Sequence, residues 1–357
     1  MNSPLTLVPD SAHTPHTSIE SSVAARARER PRSAHLSVAA RRAFGGLLPL
    51  IDQPTMRDVL VQVRDGRGVL WVDQGRGVEE IEQWQAGPAV VAALARGLIA
   101  AGGRHLDELC PMADVRLGDG IRVHAVLPPV GCSGAAVSIR LPALRRVSWT
   151  EMVSSGFCDA TAEHLLRSAV LRRQNVLITG ATGSGKTTLL SALLGLVPGS
   201  ERIITIEDVA ELRIAHPHVV GLEARQANSE GAGEVGVDRL LREALRMRPD
   251  RIVLGECRGA ETVTLLAAMN TGHDGGAGTL HASALAEVPA RLEMLGRLAG
   301  LDAQTVARQV TAAIGLVVHV ERVEGAHRLA ALGSFVRESG NLSIVPFSRG
   351  RALRRAG

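Results

Sequence analysis

The 357 residues suffice for two domains of roughly 100–200 residues each, and 45% apolar against 21% charged residues is the balance of a soluble globular protein. A net charge of +4 admits an anionic partner, but aromatics make up only 2% of the chain and tyrosine is missing. That argues against a single-strand nucleic-acid binder, which stacks bases on aromatic side chains.

The first seventeen residues are rich in Ser, Thr, Pro and His and have neither the basic n-region nor the apolar h-region of a signal peptide, so residues 1–32 read as a disordered tail. Residues 33–50 alternate apolar and basic side chains as a leading helix would, and Pro54 ends that region. Short strands are expected at 59–63 and 69–72, joined by the turn signal Asp65-Gly66. An Ala-rich helix over 88–101 follows, then strands at 114–117, 122–126 and 136–140. These elements make a small mixed α/β domain over 33–140, with 141–150 as the linker. The longest apolar stretch, 89–101, is interrupted by Arg96 and falls short of the roughly 18 residues of a membrane span.

Ser148 and Glu151 have the spacing of a capping box and open the next helix. A helix at 161–172 leads to a strand at 175–179, and the apolar runs 202–206 and 251–254 resemble strands buried in a parallel sheet. This alternation over 151–346 is the α/β pattern of a P-loop NTPase core. From residue 316 the chain reads as short antiparallel strands at 317–321, 329–336 and 342–345, before a basic tail at 347–357. The arginines clustered from Arg26 to Arg42 and at Arg349, Arg351, Arg354 and Arg355 read as solvated tails, with anionic lipid as the alternative contact. Cys110, Cys132, Cys158 and Cys257 are scattered without a C-x-x-C pair, which argues against structural zinc and disulfides and for reduced packing residues in a cytoplasmic protein.

The most informative segment is Gly180, Ala181, Thr182, Gly183, Ser184, Gly185, Lys186, Thr187 and Thr188. Lys186 is the one lysine among 40 Lys+Arg. In a chain otherwise committed to arginine, its retention implies a role that a planar guanidinium cannot fill. A phosphate loop has such a role, because a thin-stemmed ammonium must lie along the loop and reach the β- and γ-phosphates of ATP. The glycines let backbone N–H groups turn inward, the helix N-terminus adds partial positive charge, and Thr187 would ligate Mg²⁺. The strand before and the helix after supply the context that separates this loop from a chance glycine-rich turn.

Polar groups at the ends of three further strands belong beside that loop, where open α/β sheets bind ligands. Glu256 is placed to orient and polarise an attacking water. An ordinary Walker B strand has Asp just before this Glu, but here Gly255 stands there, leaving Glu207 or Asp208 to act on Mg²⁺ through bound water. His281, after a glycine-rich stretch, could sense the γ-phosphate as a hydrogen-bond donor.

These segments, with 245–252, 255–259 and 270–282, resemble the type II/type IV secretion-system ATPases, most of all the branch that assembles tight-adherence (Flp) pili and its actinobacterial relatives. The resemblance implies a RecA-like C-terminal domain, a PAS-like N-terminal domain closing over the nucleotide, and a homohexameric ring. It also implies that Glu207, Asp208, Glu256 and His281 line the ATP site, and that Arg122 and Arg140 stabilise phosphate charge. The motor would dock peripherally on inner-membrane platform proteins at the cytoplasmic face, with no specific nucleic acid as partner. The chain lacks the tetracysteine zinc site of the pilus-extension and type II secretion ATPases, and its glycine-rich His segment is expected to loosen the loop before His281. The rival readings are a RecA-like nucleic-acid translocase and an ATP-binding scaffold without turnover.

Overall fold

The computed structural model describes residues 31–144, 146–225 and 232–347. Residues 1–30 and 348–357, with most of the two expected tails, lie outside these. The leading segment is broken helix rather than one helix. Ser37 caps α1 (Val38–Phe44), which stops at Gly45 with φ 50°, and a 3-10 turn leads to α2 (Leu48–Ile51) with Pro49 in its first turn. The glycine pair at 45–46 supplies the break, because glycine adopts such a φ without the cost of a Cβ.

Strands β1 (Asp58–Arg64) and β2 (Arg67–Asp73) form the expected hairpin, with Asp65 at φ 52° and Gly66 at φ 73° as a two-residue type I′ turn demands. On β1, Val59, Val61 and Val63 are buried at every second position. β3 (Val78–Ala86) has exposed Glu79 and Glu82 and is not legible in the sequence as a strand, being the solvated edge of the sheet. In α3 (Pro88–Ala101), Val91, Ala95, Leu98 and Ile99 form one buried stripe at helical spacing. β4 (Met112–Leu117), β5 (Ile121–Val126) and β6 (Ala136–Arg140) complete a six-stranded antiparallel sheet in the order β3-β2-β1-β6-β5-β4, against which α3 packs.

After α4 (Trp149–Ser154), opened by the Ser148–Glu151 capping box, come α5 (Ala160–Leu171), β7 (Val176–Gly180), α6 (Lys186–Leu194), β8 (Ile203–Glu207) and β9 (Val219–Glu223). They are followed by α7 (Val237–Ala244), β10 (Arg251–Leu254), α8 (Glu261–Asn270), β11 (Ala277–His281), α9 (Val288–Leu298) and α10 (Ala303–Ala313). The chain closes with β12 (Leu316–Val323), β13 (Ala326–Glu338) and β14 (Asn341–Pro346). The eight strands form one sheet in the order β14-β13-β12-β7-β11-β10-β8-β9. Helices cover both faces. Val176 and Ile178 belong to the core under α4–α6, whereas Leu177 between them belongs to the core under α7–α10. This is the mixed α/β architecture, with the RecA-like core that the family resemblance implied.

β12, β13 and β14 pair antiparallel in turn, as the sequence reading has them, and β12 also lies parallel beside β7, setting His319 against Thr179. The chain reaches that place from β11 through α9 and α10, which make the crossover that parallel strands need. The cysteines also need correction: Cys257 is buried and Cys158 half-buried, but Cys110 and Cys132 are exposed and pack against no core.

The two sheets meet through charged side chains. The β4–β5 hairpin sends Arg116 to Glu223 and Ala210 O, and Arg122 to Glu211 at 2.6 Å, while Arg213 donates to Asp119 O at 3.1 Å. The segment that immediately follows Glu207 is thereby tied to the N-terminal sheet.

Candidate functional site

The strand order β7-β11-β10-β8 brings Gly180, His281, Leu254 and Glu207 side by side at the carboxyl edge of the parallel sheet, where doubly wound sheets bind ligands. The loop from 181 to 185 leaves β7 and enters α6 at Lys186, with Gly183 at φ 73° and Gly185 at φ 100°. Gly180 has no room for a side chain, since a Cβ there would lie 2.6 Å from Ser184 Oγ.

The Lys186 ammonium folds back along the loop and donates to Gly180 O and Ala181 O, each at 2.9 Å. Burial pulls its pKa below the usual lysine value, and the nearby charge of Glu256 opposes that pull. Ser184 Oγ is buried with no hydrogen-bond partner, and the first N–H groups of α6 have no carbonyl of their own helix to bond. A confined cation, an orphaned hydroxyl and unpaired N–H groups form a donor set that fits nucleotide phosphates. Thr187, on the first turn of α6, presents a hydroxyl suited to the accompanying Mg²⁺.

Glu207 ends β8 and is only 5% exposed. Its Oε1 accepts the N–H groups of Glu211 at 2.9 Å and Leu212 at 3.1 Å, yet burial outweighs these bonds and pushes its pKa up to about 6. The glycine at the Walker B position then has a physical cause. A Cβ on Gly255 would lie 2.6 Å from Glu207 Cγ, so the carboxylate arrives from β8 and occupies the space that an Asp on the neighbouring strand would need.

Glu256, next in the chain, pairs with Arg258 at 2.7 Å, and Arg258 also reaches Asp208 at 3.3 Å. The pair with Glu256 raises the Arg258 pKa. Asp208 therefore points outward to this arginine, while Glu256 acts electrostatically on Lys186. His281 lies in register with Gly180, and its Nδ1 is 3.4 Å from Thr182 Oγ1. Beneath the loop, Thr179 Oγ1 is 2.8 Å from Nδ1 of buried His319, whose pKa burial lowers and which also bonds the backbone of Ser283.

The glycines of the His segment do not loosen it. They lie in buried β11 and its approach, where a Cβ on Gly276 would meet Met269 Cε at 2.9 Å and one on Gly278 would meet Cys257 Sγ at 3.3 Å. The segment is glycine-rich because helix and strand approach closely there.

Arg122 and Arg140 are paired across β5 and β6, but their side chains part. Arg122 reaches Glu211 and so the acid-bearing loop, whereas Arg140 is held by Asp58 at 3.1 Å on the N-terminal sheet. The structure thus gathers the phosphate loop, Glu207, Glu256 and His281, attaches Arg122 through Glu211, and leaves Asp208 and Arg140 at ion pairs of their own. Sequence reasoning misses Arg258 and His319. An arginine two residues past Glu256 is a signal that could have found the first, but nothing in the sequence signals a histidine buried 140 residues from its threonine partner.

Comparison with known proteins supplies the wider frame. The family model described as "Type II/IV secretion system protein" matches residues 89–328. A putative conjugal transfer protein of Mycobacterium tuberculosis is 46% identical over 308 residues, which span 84% of this chain and 87% of that protein. The type IV secretion system protein PtlH of Bordetella pertussis is 35% identical over 289 residues, spanning 72% and 84%. Among solved structures, the Yersinia pseudotuberculosis ATPase DotB aligns with TM-score 0.55 at 16% identity, covering 89% of this chain and 82% of that one. The pilus retraction motor PilT with bound ADP aligns with TM-score 0.54 at 19% identity, covering 83% and 81%. At these identities the structures speak for the fold; the sequence matches speak for descent. The chain belongs to the type II/IV secretion system protein family.

Proposed function

We propose that the chain is an ATP-hydrolysing motor of a secretion or pilus-assembly machine. One observation carries this reading: Lys186, Glu256, Glu207 and His281 converge from four strand ends on one phosphate loop. Lys186 and the first N–H groups of α6 would grip the β- and γ-phosphates, and Thr187 would hold Mg²⁺, which neutralises phosphate charge when bound. Glu256 orients the attacking water and accepts its proton at a carboxylate oxygen, held in place by its ion pair with Arg258. Glu207 brings to the metal side the negative charge that Gly255 lacks, with Asp208 beside it. His281 donates a hydrogen bond to the γ-phosphate, and Arg122 and Arg140 add positive charge when the N-terminal domain, 33–140, closes on the ATPase domain, 151–346.

We further infer a homohexamer of the tight-adherence type that docks on inner-membrane platform proteins at the cytoplasmic face. Among the described residues, no helix is long and apolar enough to cross a membrane, so attachment would run through such partners. The test is steady-state ATP turnover of the purified protein against Glu256→Gln. Loss of a positioned general base predicts a fall of about 100-fold or more. Wild-type turnover no faster than the variant's would leave a scaffold that binds ATP without hydrolysing it.

A further inference from the structure

The β12–β13 hairpin brings a second histidine to the phosphate loop from outside the nucleotide-binding motifs. Its turn is tight, with Glu324 at φ 48° and Gly325 at φ 82° between the paired residues Val323 and Ala326. His327 follows immediately, in register with Arg322. Because β12 pairs with β7 and β7 runs into the loop, this register sets the His327 ring over the loop's last two residues. His327 Nδ1 lies 2.9 Å from Ser184 O. The ring also closes over Gly185, where an added Cβ would meet Nδ1 at 2.6 Å and Cγ at 2.9 Å. The hairpin is anchored on its other side too, as Arg322 donates to Gly75 O at 2.8 Å in the β2–β3 turn.

We propose that His327 is a positioning residue of the phosphate loop: its Nδ1–H fixes the Ser184 carbonyl, and thereby turns the N–H group of Gly185 toward the phosphates. Since the acceptor is a carbonyl oxygen, Nδ1 carries the proton. Burial, with the charges of Arg322 and Arg57, lowers the His327 pKa and favours the neutral ring in that tautomer. A peptide unit has its C=O and N–H on opposite sides, so holding the carbonyl of Ser184 outward against the hairpin holds the N–H of Gly185 inward. Gly185 itself is the N-cap of α6 in a left-handed conformation, a backbone state with little intrinsic preference to hold its own direction. The ring supplies the constraint that the glycine lacks.

This inference rests on the reading of the loop as a nucleotide site, and the experiment separates the two. Mg·ADP affinity is measured by calorimetry, and kcat and KM for ATP by steady-state kinetics, on the full chain as wild type, His327→Leu, His327→Asn and Lys186→Ala, with urea midpoints for each. The nucleotide reading requires that wild type binds and Lys186→Ala does not. Positioning by His327 requires that His327→Leu weakens ADP binding and raises KM by about fivefold, the weight of one neutral hydrogen bond, with kcat held within about twofold. His327→Asn places an amide nitrogen the same number of bonds from Cα as Nδ1 and should restore affinity to within about twofold of wild type. Binding by His327→Leu equal to wild type overturns the proposal. So does an equal loss in the Leu and Asn variants accompanied by an equal fall in urea midpoint, which marks fold damage. No binding by wild type overturns the nucleotide reading itself.

Discussion

Glu207→Gln should make the nucleotide-free protein more stable at neutral pH while disabling it. The Glu207 carboxyl titrates near pH 6 in the folded chain against an ordinary 4.5, and at about 1.4 kcal/mol per pKa unit the buried charge costs about 2 kcal/mol. Below pH 4.5 the carboxyl is protonated in both folded and unfolded chains, and no cost arises. Between 4.5 and 6 the folded chain keeps a proton that the unfolded chain has released, so this group lowers stability as pH rises. Above 6 the cost is constant. Glutamine never ionises, and its Oε1 can still accept from Glu211 and Leu212. Urea unfolding at pH 4.5, 5.5, 6.5 and 7.5 should therefore show the Gln variant equal to wild type at the acid end and about 2 kcal/mol more stable at the neutral end. The same variant should lose most ATP turnover. A stability difference that does not vary with pH, or a variant less stable than wild type at pH 7.5, would refute the claim that Glu207 is held charged against its burial.

Lys186→Arg, though it keeps the charge, should abolish nucleotide binding in calorimetry, since Nζ threads between the carbonyls of Gly180 and Ala181 where a planar fork does not fit. Near-normal affinity would sink that argument. Gly255→Asp, which restores the usual Walker B acid, should destabilise by about 1–3 kcal/mol in urea because its Cβ meets the Glu207 side chain. Glu201→Ala should cost about 3–5 kcal/mol, since Arg251 is 2% exposed and would lose the carboxylate that its Nε reaches at 2.8 Å. A loss below about 1 kcal/mol would show that the carbonyls of Val170 and Gly275 suffice for the guanidinium.

The phosphate loop, the α3 stripe, the Asp65-Gly66 hairpin and the Ser148 cap are legible in the sequence because each is a local pattern whose cause lies within a few residues. What escapes the sequence depends on neighbours distant in the chain. Gly255 reads as a lost acid until Glu207, 48 positions earlier, is seen filling its Cβ space. Gly276 and Gly278 read as looseness, although they mark close packing on Met269 and Cys257. The antiparallel set β12–β14 is legible, but its parallel place beside β7 is not, since α9 and α10 carry the chain there from β11. Glycine is the common difficulty. The same residue serves a turn, a close approach or a flexible hinge, and sequence alone does not separate these uses.

The distribution of acids also bears on how a domain movement could reach the chemistry. Glu207 keeps its place by accepting N–H bonds from Glu211 and Leu212, and Glu211 is in turn ion-paired to Arg122 on the N-terminal sheet. Arg116 fastens the same hairpin to Glu223 at the end of β9, the strand beside β8. Any displacement of the β4–β5 hairpin must either break these pairs or drag residues 208–213, and dragging them alters the bonds that offset the burial of Glu207. Arg122 is held by the Glu211 carboxylate here; on the proposed reading, in which Arg122 meets phosphate, nucleotide and Glu211 would compete for one guanidinium. A domain arginine that trades Glu211 for phosphate would release the acid loop as it grips the substrate, which links closure of the N-terminal domain to the position of Glu207 without any further moving part.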